Sequence, residues 1–269
     1  MTFQPVAPFG GLAGWSFMER TRARQEAAFQ KSPPVARATG EFAARIGTIK
    51  SAGDLVNDRA LLRVALGAFG LDSDIGNRFF IRKVLEDGTA SRAALANRLA
   101  DKRYLALAET FGFGDRPGGN VARPGFGADI VARYRERQFE IAVGQGNPDL
   151  RLVLGLGREL SEIVTRPLSN DGRWFAMMAS PPMRKVFERA LRLPAEIGGV
   201  DIDRQLAIFK ERAAARLGTS DFAALATPDG EARLRRAFLA APESAGIPTS
   251  VRGSGALALL ASAPRLFAR

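Results

Sequence analysis

The chain of 269 residues contains no cysteine and no histidine. Zinc, copper, haem iron and iron-sulfur clusters draw on thiolate or imidazole donors, so the two absences argue against a transition-metal site. They also remove Ser-His-Asp and Cys-His catalysis, because no side chain is left whose unperturbed pKa lies near neutrality. Acid-base chemistry would fall to a carboxylate or a lysine with a strongly displaced pKa. No disulfide can form, which leaves the redox compartment unread, and a core of this size does not need one. Tyrosine and tryptophan are scarce, two of each against 18 phenylalanines. The sequence has no aromatic ladder of the kind that binds single-stranded nucleic acid.

Long apolar runs are missing too, and none comes near the roughly 18 residues that cross a bilayer. The first residues, MTFQPVAPFGGLAGWSF, lack the basic start, apolar core and small-residue cleavage site of a secretory signal, which predicts a cytoplasmic start for the chain. Glycine-rich candidates at Gly112-Phe-Gly114, Gly144-Gln-Gly146 and Gly155-Leu-Gly157 follow no strand and complete no phosphate-binding pattern, and no Gly-Lys-Ser or Gly-Lys-Thr occurs. Calcium loops of the D-x-D-x-D-G type are absent as well. No cofactor, metal or catalytic residue is expected.

What is present is a globular composition, 46% hydrophobic and 25% charged, with a net charge of +11. A balance this basic suits an acidic partner. The charges nevertheless alternate, as in Tyr134-Arg-Glu-Arg-Gln-Phe-Glu140, the pattern of a solvated helix face, so nucleic acid is not the expected partner. Paired carboxylates read the same way: Glu159 and Glu162 share a helix face, with Arg158 and Arg166 placed to neutralise them. Asp58, Asp72 and Asp203 stand where aspartate caps a helix.

Apolar spacing is helical nearly throughout. Ile202, Leu206, Phe209, Ala213 and Leu217 fall on one face, as do Val153, Leu156, Leu160 and Ile163, and no alternating strand is evident. Asn147-Pro148-Asp149, Ser180-Pro181-Pro182 and Ser32-Pro33-Pro34 read as helix starts, and Gly218 as a stop. The fold class is therefore all-α, a multi-helix bundle.

Punctuation suggests a division. Residues 1–31 read as a flexible, basic, amphipathic amino-terminal segment, with Ser16 and Glu19 at capping-box spacing. Residues 32–240 form the helical body, its halves at about 32–113 and 128–226 joined by a Gly/Pro-rich exposed linker at 114–127. Residues 241–269 read as a weakly structured tail, ending in the Ala/Leu-rich stretch Gly255 to Phe267. The halves share short motifs. LRVALGAFGLDSDI from Leu62 matches LRLVLGLGRELSEI from Leu150 at six of fourteen positions, Ile81-Arg-Lys-Val-Leu-Glu86 matches Met183-Arg-Lys-Val-Phe-Glu188, and Asp101 aligns with Asp203. The pattern fits two related helical half-units, and it equally fits the shared periodicity of unrelated amphipathic helices.

Trp15, Phe17 and Met18, together with Arg20, Arg22 and Arg24, lie outside this expected body. They are the candidate partner-binding residues, an apolar anchor with basic flanks, although folding back onto the body is the competing reading.

Several blocks are distinctive: DRALLRVALGAFGLDSDIGNRFFIRKVLEDG from Asp58, ANRLADKRYLALAETFGF from Ala96, VARYRERQFEIAVGQGNPDLRL from Val131, WFAMMASPPMRKVFERALRLP from Trp174 and DIDRQLAIFKERAAARLG from Asp201. Over roughly Thr39 to Ala240 the chain resembles an uncharacterised bacterial family, catalogued as a domain of unknown function, whose members are encoded largely within flagellar gene clusters. The resemblance implies a helical, flagellum-associated protein with flagellar proteins as partners, and it carries over no catalytic or ligand residue. Composition alone leaves a second reading, a cytoplasmic module that binds an acidic protein or nucleic acid through the basic amino-terminal segment.

Overall fold

In the computed structural model, residues 3–241 are described, and all the regular structure among them is helical. In chain order the helices are α1 (Gly11–Gln30), α2 (Pro33–Arg45), α3 (Ala52–Asn57), α4 (Arg59–Ala68), α5 (Arg78–Asp87), α6 (Leu95–Arg98) and α7 (Arg103–Phe111). They continue with α8 (Phe126–Gly146), α9 (Pro148–Val164), α10 (Asn170–Met178), α11 (Pro181–Leu191), α12 (Ile202–Leu217), α13 (Phe222–Leu225) and α14 (Pro228–Ala240).

Most starts and stops follow local chemistry. Asn147 accepts from the Leu150 amide at 3.0 Å, and Pro148 occupies the first helical position of α9. Asp58 caps α4 through the amides of Ala60 and Leu61, and Gly218 ends α12 in the left-handed region. Asp72 does not cap: its carboxylate accepts from Gln138 at 2.6 Å on another helix. Nor does Asp203, because Asp201, two residues earlier, accepts from the amides of Asp203 and Arg204. Asp101 binds the Arg103 amide in the same manner, so it corresponds to Asp201 rather than Asp203.

Two large apolar clusters make up most of the core, beside a small one of Val84, Ala96 and Ala108, and α8 belongs to both large ones. Its first half contributes Phe126, Ile130, Val131 and Tyr134 to a cluster with α2, α3, α4, α5 and α7. The second half contributes Phe139, Ala142 and Val143 to a cluster with α9 to α14. At the centre of the latter, Trp174 packs edge-on against Phe187 and Phe222, ring centroids 5.5 and 5.4 Å away, and donates its indole N–H to the Ser220 carbonyl at 3.0 Å.

Helices α4 and α9, which carry the matching motifs, both lie along α8. The corresponding glycines face it: a Cβ at Gly67 would lie 2.7 Å from the Tyr134 ring, and one at Gly155 would lie 3.3 Å from the Glu140 carboxylate. Matching ion pairs, Arg82–Glu86 and Arg184–Glu188, staple α5 and α11. The motifs then diverge, since α9 runs on to Val164 while α4 ends at Ala68.

Two expected divisions look different in the structure. Residues 114–127 are largely exposed, as expected, but they are anchored rather than a free linker. Val121 and Phe126 are buried, α8 begins at Phe126, and Asp115 accepts from the Thr89 and Ala90 amides at 2.8 and 3.0 Å. Backbone approaches backbone here, because a Cβ at Gly88, whose φ is +65°, would lie 2.8 Å from the Gly114 carbonyl carbon. The glycines that look like a linker in sequence permit close packing. Of the segment 1–31, the described residues 3–31 are not a flexible stretch outside the body. Helix α1 starts at Gly11, so Ser16 is inside it rather than at its cap, and Met18 and Phe29 enter the second core cluster. The residues of the tail beyond Ala241 lie outside the described part of the chain.

Candidate docking site at the amino-terminal end

The candidate partner-binding residues divide by helical phase. Met18 points inward and is fully buried among the side chains of the second cluster, so it holds α1 in place and is withdrawn as a contact residue. Trp15 is half-buried, with the Arg235 guanidinium of α14 stacked 4.4 Å from its ring centroid. Arg22 pairs with Glu26 at 2.7 Å. The two line a cleft of about 300 Å³ against Arg135 and Glu136 of α8, where two cations meet two anions. Phe17 is half-exposed, and Arg20 and Arg24 are exposed, with no carboxylate partner among the described residues.

Neighbours overlooked in the sequence reading complete the surface. Residues 3–9 fold back along α1. The Val6 amide donates to Gln25 at 2.7 Å, and the Gln25 amide returns a bond to the Val6 carbonyl at 3.1 Å. Asn147 holds the Phe9 carbonyl at 3.2 Å, and the Phe9 ring meets Phe17 edge-on at 6.5 Å. Anchored in this way, the run leaves Val6, Phe9 and Leu12 standing 53%, 57% and 43% exposed. Phe9 and Leu12 bracket the tip of α1, and Gly10-Gly11 between them is the sequence signal that the chain turns there with little side-chain cover. Single exposed apolar residues are common; here Phe9 and Leu12 stand exposed at the start of α1, while Val6 sits farther back, beside Gln25.

The other concentration of charge lies between α8 and α9. Arg158 binds Glu140 at 3.0 Å and approaches Glu136, Glu159 and Glu162 at 3.6, 3.7 and 3.9 Å; Arg137 reaches Glu162 at 3.5 Å. Burial works against the Arg158 charge, yet Glu140 and the flanking carboxylates outweigh it and hold the guanidinium above its ordinary value. Burial, reinforced by the nearby Arg158, pushes Arg137 down. Glu159 is pushed up, by burial first and by Glu162 second. The expected pairing of Glu159 and Glu162 with Arg158 holds in part, but the principal partner is Glu140 on the preceding helix. Only the packing of α8 on α9 brings it there. The cluster ties two helices together, with its charges turned on one another.

The molecule is thus an all-α scaffold that presents a fixed apolar surface at its amino-terminal end. The family model described as a protein of unknown function (DUF1217) matches residues 68–230, and the chain belongs to that family. A crystal structure of an Agrobacterium tumefaciens protein is similar with a TM-score of 0.70 and 23% identity, covering 88% of this chain and 96% of that one. At that identity the likeness speaks for the fold alone. No curated protein matches.

Proposed function

We propose that this protein is a nonenzymatic structural or assembly-accessory component of the bacterial flagellum, acting through protein-protein contacts. The observation that carries the contact role is the pair of exposed apolar side chains Phe9 and Leu12 at the tip of α1, with the Phe9 backbone held by Asn147. Aromatic and aliphatic anchors fixed on a packed scaffold bind at a low entropic cost, because little must be ordered on association. The flagellar part rests on the resemblance of the sequence blocks between Thr39 and Ala240 to a family encoded among flagellar genes.

The test is a clean deletion strain, with the gene restored as control. Impaired swimming that the gene rescues, together with the protein in the purified flagellar fraction, supports the reading. Normal filaments and normal swimming would refute it. A second reading, binding of an acidic partner, draws on exposed Arg20 and Arg24 of α1. Steep loss of binding to an acidic probe between low and moderate salt would favour it.

A further inference from the structure

We propose that the apolar surface at the tip of α1 is covered by the chain's own carboxy-terminal residues 255–267. The proposal deepens the docking reading, since it names the occupant of that surface in the isolated protein, which a flagellar partner would have to displace.

Three observations lead to it. First, the described chain ends at the surface in question. Helix α14 delivers its last turn to the start of α1, so that a Cβ at Gly11 would lie 3.3 Å from the Leu239 carbonyl oxygen. The exit is also fixed: the Arg189 guanidinium donates to the Ala241 carbonyl at 3.0 and 3.3 Å, lies over the Phe238 ring at 4.6 Å and pairs with Asp149. Second, Phe9 and Leu12 stand exposed at that same tip. Third, the remaining sequence, Gly-Ala-Leu-Ala-Leu-Leu-Ala-Ser-Ala-Pro-Arg-Leu-Phe at 255–267, carries no charge between Arg252 and Arg265 and has apolar groups to match.

Length permits the contact. At roughly 3.3 Å per residue, the chain between Ala241 and Gly255 spans more than enough to turn back over the first turn of α1. Tethering makes it favourable: a segment joined by a short linker meets its site at an effective concentration of order millimolar, so even a weak apolar contact is populated. Phe79, the most exposed of the large apolar side chains, is borne by α5, which packs against α3, α6 and α7.

The absence of native cysteine gives a clean experiment in the full-length chain. Leu12→Cys and Leu259→Cys are introduced together, and a control chain carries Phe79→Cys with Leu259→Cys; Leu12 and Phe79 are both exposed and lie outside the cores described above. Under mild oxidation the Leu12 pair is expected to close a disulfide at monomer mass with a yield about tenfold or more above the control, as tethered proximity allows. Adding Leu257→Asp and Leu260→Asp is expected to bring that yield down to the control level. Equal yields for the two pairs would overturn the proposal, and cross-linking at dimer mass would overturn it in favour of a second copy. Neither result depends on motility. A closed Leu12 pair in a protein whose deletion leaves swimming normal would sink the flagellar reading alone; an open pair with lost swimming would sink only the tail.

Discussion

At the scale of single residues, Glu159 gives the clearest test of the electrostatics. Its carboxyl titrates above its ordinary value in the folded protein, so folding takes up protons and stability falls as pH rises above about 4.5. Glu159→Gln removes this half-buried negative charge. The variant is therefore expected to be more stable than wild type at pH 7, with the difference closing toward pH 4, as urea unfolding at the two pH values would record. A variant less stable at pH 7 would mean that Arg158 dominates at this position. Gly88 tests the packed turn: Gly88→Ala places a methyl in a left-handed conformation against Gly114 and Asp115. It is expected to cost about 2–4 kcal/mol, whereas the same exchange at an unstrained helical glycine gains up to ~1 kcal/mol. A loss within ~0.5 kcal/mol would restore the reading of residues 114–127 as a free linker.

Between elements, the α8–α9 contact depends on Arg158 and Glu140. Leaving one partner of such a pair buried and uncompensated costs about 3–5 kcal/mol, while replacing both by apolar groups is close to neutral. Arg158→Met alone is accordingly expected to lower stability by several kcal/mol, and Arg158→Met with Glu140→Leu to restore most of the loss. Thermal unfolding of the set would measure it. A double variant as unstable as the single one would show that the other carboxylates matter more than Glu140. The helices themselves were largely legible, because periodicity, prolines at first turns and Gly218 are local signals. Partnerships were not. Gln138 reaching Asp72, Glu140 reaching Arg158 and Gly88 touching Gly114 join residues that only the tertiary fold brings together, and glycine used for close packing has the same composition as glycine used for slack.

For the whole molecule, the proposed function falls on the amino-terminal end, and the structure of that end was half legible in the sequence. The candidate contact residues do lie on one helix, α1. The helical phase that turns Met18 inward and leaves Arg20 and Arg24 outside needed the true start at Gly11, and the exposure of Phe9 and Leu12 needed the fold-back of residues 3–9 secured by Gln25 and Asn147. The central claim is that this surface serves the flagellum. The most direct measurement is complementation of the deletion strain with Phe9→Asp and Leu12→Asp combined, at matched protein level and with helical content verified. Both side chains are about half exposed, so folding is expected to survive while swimming falls well below that of the strain carrying the wild-type gene. Full rescue of swimming by the double variant would contradict the account.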